Sequence, residues 1–118
     1  MDKFTIRNAD KSDAALLKEM ICEMAEYEKE LHMVETNEER ILNTICNGKY
    51  AEALIGEVDG NSVAYAVYFH TYSTYLGKPS QYLEDVFVRP AYRGRGYGKA
   101  ILKYLAALAK ERGCDRFD

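Results

Sequence analysis

The apolar and polar positions in the first half of the chain predict one strand and two helices. Residues 4–7 alternate between the two classes, which is typical of a short strand. Apolar residues then recur at helical spacing and predict a helix over 13–28. Residues 36–39 (TNEE) match a capping box, in which the Thr36 hydroxyl accepts the Glu39 amide and the Glu39 carboxylate reaches back. A second helix is therefore expected directly after Thr36.

The second half of the chain has strand-like runs followed by a long helical pattern. Residues 51–58 and 62–72 flank an Asp-Gly turn signal and predict a β-hairpin. A loop is expected up to residue 80, and residues 81–88 predict another strand. Residues 97–112 predict a helix, and 114–118 read as the opening of a strand. The inward positions of that helix are expected to be Ile101, Leu102, Leu105 and Leu108. The order of elements predicts an α/β (α+β) fold in a single domain over residues 1–118.

Length and composition fit a globular domain and exclude several other classes. The chain has 118 residues, of which 47% are hydrophobic and 30% charged, both close to globular averages. The formal net charge of -3 gives no support to bulk electrostatic binding of nucleic acid. No apolar run approaches the ~20 residues needed to span a membrane, and the N-terminus lacks the apolar core of a signal peptide. We therefore expect neither nucleic acid nor a membrane as partner.

The cysteines and histidines do not form a recognisable metal or redox motif. Cys22, Cys46 and Cys114 are odd in number and widely spaced, which is typical of reduced thiols in a cytoplasmic protein. His32 and His70 lack metal-ligand spacing with each other or with a cysteine. No G-x-S-x-G nucleophile motif occurs. A cytoplasmic protein without a catalytic metal is the expectation.

The densest chemical signal is the glycine-rich segment 93–99 (RGRGYGK), between a predicted strand and a predicted helix. Its glycines allow a tight turn and close approach of a ligand to the backbone. The amides at the start of a helix point outward with partial positive charge, which suits phosphate oxygens. Arg93, Arg95 and Lys99 add full charges. This segment, which we call the glycine loop, is a candidate pyrophosphate cradle.

Two common phosphate-binding motifs do not fit the glycine loop. A Walker A motif requires Ser or Thr after its lysine, whereas Lys99 is followed by Ala100. A dinucleotide fingerprint requires glycine at the position that Lys99 occupies. The pattern [QR]-x-x-G-x-[GA] does fit, as Arg93, Gly96 and Gly98. The plain alternative is a turn that joins a strand to a helix, but such a turn usually needs only one special residue.

With its flanking segments, the glycine loop resembles the GCN5-related N-acetyltransferase (GNAT) superfamily. Residues 82–88 (YLEDVFV) narrow the resemblance to the diamine (spermidine/spermine) acetyltransferase branch. Further support comes from residues 4–7 (FTIR), 24–28 (MAEYE) and 72–78 (YSTYLGK), so that the resemblance covers nearly the whole chain. It implies the GNAT fold, a mixed and mostly antiparallel sheet flanked by helices.

The resemblance implies an acetyl-CoA-dependent N-acetyltransferase that acts on a primary amine of a small molecule, either a polyamine or a lysine-like compound. The amine would attack directly. Backbone groups of Val86, Phe87 and Val88 would pair with the pantetheine arm as an added strand does. The amides that would hold the pyrophosphate are those of Arg93, Gly94, Arg95, Gly96, Tyr97, Gly98 and Lys99.

Carboxylates near this region supply the remaining chemistry. An alkyl amine is mostly protonated at neutral pH, so a nearby carboxylate is needed to bind the cation and accept its proton. Glu84 and Asp85 are adjacent on a strand, and strict alternation predicts opposite faces for them. The resemblance implies Glu84 as the group that assists deprotonation, with Asp85 either contacting substrate or structural. Tyr27 and Glu28 match family positions near the amine, with a surface pair as the alternative.

Ser73 stands where the diamine branch usually has an acid, which puts polyamine specificity in question.

The resemblance also implies a C-terminal part that this sequence does not contain. Family members usually continue with a helix and two strands, which carry a Tyr that protonates the departing thiolate and an Asn that contacts the cofactor. We expect the domain to be C-terminally incomplete at Asp118, with a free sheet edge near residues 85–88 that favours a homodimer. A truncated gene product, a swapped dimer and an inactive fragment all fit the sequence. The alternative function is a non-catalytic acyl-CoA-binding or dimerising module.

Overall fold

Over residues 3–118, the part of the chain that the computed structural model describes, four strands form one antiparallel sheet in the order β1-β2-β3-β4. The strands are β1 Phe4–Asn8, β2 Glu52–Val58, β3 Asn61–Ser73 and β4 Lys78–Val88. The helices are α1 Ala14–Tyr27, α2 Glu38–Ile41 and α3 Tyr97–Glu111, and a π-helical turn, Leu42–Cys46, continues α2. The predicted α/β class is confirmed.

The two hairpins of the sheet differ in how well the sequence predicted them. Asp59 and Gly60 join β2 to β3 with φ angles of 51° and 81°, as a type I′ turn requires, so the predicted hairpin is confirmed. Half of the loop expected at residues 73–80 is strand and only 74–77 form a turn, because Tyr72 pairs with Pro79 and Ser73 with Lys78. Proline is tolerated there because β4 lies at the edge of the sheet.

Each face of the sheet packs against different helices. On one face, Leu17 and Met20 of α1 and Ile41 of α2 pack against Tyr65 and Phe87 of the sheet. On the other face, α3 buries Ile101, Leu105 and Ala109. The expectation that Leu102 points inward is wrong, since it is 41% exposed. Helical geometry explains the difference, because Ala109 continues the stripe of Ile101 and Leu105, whereas Leu102 lies about 100° around the helix.

Side chains cap the 3₁₀ turn Lys11–Asp13, which leads into α1, and the start of α2. Before α1, the Asp10 carboxylate accepts the Ser12 amide and the Asp13 carboxylate accepts the Asp10 amide, which forms a capping box. Before α2, the predicted box is wrong by one position. Asn37 is the N-cap, and its Oδ1 accepts the Arg40 amide at 2.8 Å. Both Thr and Asn are good caps, and neighbouring candidates cannot be ranked from sequence alone.

The edge strand β4 has an irregularity that matters for the site. Val67 of β3 pairs with Asp85 and Tyr68 pairs with Leu83, so Glu84 is the extra residue of a β-bulge. Along the outer side of β4, the C-terminal segment pairs with it in parallel through a bridge between Gln81 and Phe117. The strand opening expected at residues 114–118 is therefore present only as this isolated parallel bridge, outside the four antiparallel strands. Within residues 3–118, no strand pairs with the outer edge of β4 beyond the bulge.

Candidate active site

A cleft of about 300 Å³ lies between the C-terminal end of α1, the second half of β4 and the start of α3. It is lined by Met24, Tyr27, Glu28, Val86, Phe87, Val88, Arg93 and Gly98. Residues predicted to bind a cofactor and residues predicted to bind an amine thus share one cleft, although more than 50 residues of sequence separate Glu28 from Val86. The open edge of β4 borders this cleft.

The glycine loop leads into α3 through backbone that favours glycine. Gly94 and Gly96 have φ angles of 78° and 82°, and Gly96 is the left-handed N-cap of α3. An added Cβ at either position would meet no neighbour, so glycine is required there by conformation and not by space. No side chain of the described residues caps α3. The amides of its first turn therefore face outward with partial positive charge.

Two aromatic contacts anchor the glycine loop to the body of the protein. The ring of Tyr97 stacks on Phe4 of β1 with centroids 4.3 Å apart. The Arg95 guanidinium carbon lies 5.3 Å from the centre of the Tyr92 ring. Lys99 is exposed in the first turn of α3. Stacking between Tyr97 and Phe4 holds the first turn of α3 against the sheet, which fixes where its amides point.

Arg93 lies in the cleft and not at the start of α3. Its guanidinium carbon is 4.2 Å from the centre of the Tyr27 ring and 5.5 Å from that of Phe87. Its Nε donates to the Val88 carbonyl at 2.8 Å, and its backbone amide donates to the Pro90 carbonyl at 3.3 Å. The Nε and the backbone amide of Arg93 thus both donate to carbonyl groups of the protein itself. The side chain covers one of the β4 backbone groups predicted to contact a ligand.

Glu28, at the end of α1, lines the cleft, and the bulge residue Glu84 and Asp85 directly precede its lining residue Val86 on β4. Asp85 is half-buried, and the Tyr65 hydroxyl donates to its Oδ2 at 3.2 Å. Burial raises the pKa of Asp85, the hydrogen bond from Tyr65 lowers it, and the charges of Glu84 and Glu28 raise it further. The bulge interrupts the alternation from which opposite faces were predicted for Glu84 and Asp85.

Sequence reasoning missed Tyr65. Its ring is fully buried in the core, yet its hydroxyl contacts Asp85 and also lies 3.5 Å from the sulfur of Met24, which lines the cleft. The available signal was the pairing of β3 with β4. Cross-strand neighbours of Asp85 and Phe87 share their face of the sheet, which places Tyr65 and Val67 beside them. The register, and hence this neighbour, could not be assigned without knowing the bulge.

Neither a metal cluster nor a membrane helix is present in residues 3–118. No group of three or more His, Cys, Asp or Glu side chains in that range could hold a metal ion. No helix in the same range is long and apolar enough to cross a bilayer. Cys22, Cys46 and Cys114 are half-buried and carry no disulfide.

Comparison with known proteins identifies the family. The acetyltransferase (GNAT) family model matches residues 15–117. The chain is 38% identical to a thialysine N-epsilon-acetyltransferase of Sus scrofa over 126 residues, which cover 99% of the chain and 74% of that protein. It is 32% identical to the spermidine/spermine N(1)-acetyltransferase-like protein 1 of Homo sapiens, covering 98% of the chain and 18% of the relative.

Solved structures agree on the fold. A ribosomal-protein-alanine N-acetyltransferase from Brucella melitensis biovar Abortus 2308 matches with a TM-score of 0.82 at 23% identity, covering 98% of this chain and 77% of that one. A transcriptional regulator from Bacillus halodurans C-125 matches with a TM-score of 0.80 at 25% identity, covering 98% and 79%. The superfamily and branch predicted from the glycine loop and from residues 82–88 are confirmed. The chain belongs to the GNAT family of acetyltransferases, and its enzymatic class is N-acetyltransferase.

Proposed function

We propose that this protein, as a single domain, moves an acetyl group from acetyl-CoA to a primary amine of a small lysine-like or polyamine molecule. The observation that carries the proposal is the shared cleft, which puts the open edge of β4 and the start of α3 next to Tyr27 and Glu28. Relatives named for thialysine and for spermidine or spermine support an amine as acceptor.

Acetyl-CoA fits the donor groups of this cleft. The outer backbone edge of residues 86–88 suits an extended arm that carries amides, because such an arm pairs as an added strand would. The first turn of α3, with the exposed glycines before it and Lys99 within it, suits a pyrophosphate. Bound there, acetyl-CoA would supply the thioester. Its acetyl end would then lie toward Glu28 and toward Glu84 and Asp85, which precede Val86 on β4.

The acids favour a cationic acceptor. Glu28 lines the cleft and, like Glu84, acts electrostatically on Asp85, so that negative charge gathers here, while the glycine loop supplies cations. An ammonium group gains from this field, and the amine must lose a proton before it can attack. We assign Glu84 to assist that deprotonation, because it is exposed at the bulge and is within electrostatic reach of Asp85. Tyr27, Glu28 and Asp85 are assigned to substrate contact.

We further propose a homodimer in a reducing compartment such as the cytoplasm. The hairpin between β3 and β4 carries exposed Tyr72, Tyr75 and Leu76, and Tyr75 is 99% exposed. Together with the open edge of β4, this apolar tip is a surface that a second copy would cover. The unpaired half-buried cysteines support a reducing environment.

One observation favours a second candidate, a non-catalytic acyl-CoA-binding or dimerising module. Arg93 fills part of the cleft and hydrogen-bonds the Val88 carbonyl that a bound arm would use. If this contact persisted with ligand present, the acetyl end would be kept away from the acids.

A transfer assay separates the two candidates. Purified protein is given acetyl-CoA with thialysine, lysine or spermidine, and free thiol is followed together with the acetylated product by mass spectrometry. We expect thiol release that depends on the amine, with Gly96→Val as the variant impaired in binding acetyl-CoA. Binding of acetyl-CoA without turnover on any amine would support the module and refute the transferase.

A further inference from the structure

Tyr65 is a core residue with one polar atom at the site. Its side chain is 0% exposed and packs among apolar residues of β2, β3 and α1. The ring lies 6.1 Å from that of Phe87, which lines the cleft. Only the hydroxyl leaves this apolar environment, and it meets the Met24 sulfur and Asp85 Oδ2.

The hydroxyl is not needed for packing. Phenylalanine would fill almost the same volume, and a buried hydroxyl without a partner costs about 1–3 kcal/mol. Thioether sulfur is a weak acceptor, so the carboxylate of Asp85 is the partner that satisfies the hydroxyl. Asp85 thus accepts a hydrogen bond from the Tyr65 hydroxyl, which lies on the buried side of the sheet. The hydrogen bond therefore fixes the orientation of the carboxylate.

Within residues 3–118, the other ionisable groups that act on this pair are acidic or weakly acidic. Glu84 of β4 and Glu28 at the end of α1 act electrostatically on Asp85, and Glu28 and Cys22 of α1 act on Tyr65. Like charges favour the protonated form of a carboxyl group, as does burial. Tyr65 thus acts against both effects, because donation to the ionised carboxylate stabilises that form.

We propose that Tyr65 is a positioning residue for acetyl transfer, whose hydroxyl holds Asp85 ionised and aimed at the ammonium group of the acceptor. The inference rests on the proposed function for its catalytic consequence. It adds a residue to the site, and it gives Asp85 a definite role as the oriented anion that binds the amine while Glu84 assists deprotonation. The bulge at Glu84 allows the two carboxylates to take these separate roles, because it interrupts the regular alternation of side chains along β4.

The direction of the pH effect follows from the hydrogen bond. Removing the hydroxyl removes the interaction that lowers the pKa of Asp85, so its carboxyl group takes up a proton at higher pH. The acidic limb of kcat/KM for the amine should then move to higher pH. A hydrogen bond to a charged group corresponds to a shift of about one pH unit, so kcat/KM should fall about tenfold at pH values below the acidic limb and change little well above it.

The test compares Tyr65→Phe with Tyr68→Phe, a matched control. Tyr68 is equally buried, and its hydroxyl donates to Glu52 at 3.4 Å on the opposite face of the sheet. We expect Tyr65→Phe to move the acidic limb upward and to raise KM for the amine more than it lowers kcat, whereas Tyr68→Phe does neither. In an Asp85→Asn background, Tyr65→Phe should add nothing. An unchanged pH profile, equal shifts in both variants, or additive losses would overturn the proposal.

A second readout does not need turnover. The carboxyl carbon of Asp85, followed by ¹³C NMR in wild-type protein and in Tyr65→Phe, should titrate about one pH unit higher in the variant. Identical titrations would overturn the positioning role even if the transferase proposal held. If the wild type transfers no acetyl group while the shift is seen, the proposed function fails and the pairing of Tyr65 with Asp85 stands. Thermal unfolding of both variants checks that each is folded.

Discussion

Arg93 offers a direct way to ask whether a bound pantetheine arm runs along β4. In the structure, its guanidinium lies over the Tyr27 ring, and its Nε donates a hydrogen bond to the Val88 carbonyl. A ligand arm that uses this carbonyl must first displace the side chain. Arg93→Ala removes that competitor, and it also removes a cation from the surroundings of the phosphates. Using two ligands separates these opposing effects.

The magnitude follows from the contacts that the arm must break. A hydrogen bond of this kind contributes about 1 kcal/mol, and a cation–π contact at an exposed site about 0.5–1 kcal/mol. Since Arg93 is exposed and regains water when released, we take the lower part of this range. The expected gain of about 1.4 kcal/mol corresponds to about tenfold tighter binding of S-acetylpantetheine, which has no phosphates.

The assay is an NMR titration of wild type, Arg93→Ala and Lys99→Ala with S-acetylpantetheine and with acetyl-CoA. Arg93→Ala should bind S-acetylpantetheine more tightly than wild type does. Lys99→Ala should bind it equally well and bind acetyl-CoA more weakly, because the proposed binding mode brings only the phosphates to Lys99. Unchanged affinity of Arg93→Ala for S-acetylpantetheine would refute the placement of the arm beside Val88.

Three further predictions concern other parts of the chain. Glu84→Gln should lower the transfer rate and raise the pH optimum, and an unaltered pH–rate profile would count against a role in deprotonation. Gly96→Val should weaken acetyl-CoA binding and cost about 1–2 kcal/mol of stability, because φ is 82° at this position; calorimetric titration and thermal unfolding measure both. Arg112 donates twice to Glu52 and lowers its pKa, so this pair contributes stability above the ordinary pKa of Glu52 and loses it in acid. Arg112→Gln should therefore cost about 0.5–1 kcal/mol at pH 7 in urea unfolding, and a cost that stayed the same at pH 3 would contradict the pairing.

The fold could be predicted where local signals act alone. The Asp59–Gly60 turn and the limits of α1 and α3 follow from turn chemistry and helical spacing, and each lies within a residue or two of its predicted place. Errors arose where two local solutions have similar energies. Thr36 and Asn37 are both good caps, and only the entry of the chain into α2 selects Asn37.

Several of the residues singled out from the sequence line one cleft, but their contacts were not predictable. Val86, Phe87, Val88, Arg93 and Gly98 are among them, and their motifs could be recognised because backbone conformation and charge depend on local sequence. The inward turn of Arg93 onto Tyr27, and the reach of Tyr65 to Asp85, depend on pairing between distant segments and on a bulge. Strict alternation of side chains along a strand does not allow for a bulge. The faces on which Glu84 and Asp85 lie could therefore be assigned only from the structure.

The central claim is that acetyl-CoA lies along the outer edge of β4 with its phosphates at the start of α3. Backbone amide shifts recorded during an acetyl-CoA titration of the wild-type protein test it most directly. We expect the largest shifts on residues 86–88 and on the glycine loop, residues 93–99. Shifts concentrated instead at residues 11–15 and 38–42, which line a separate surface hollow, would contradict it.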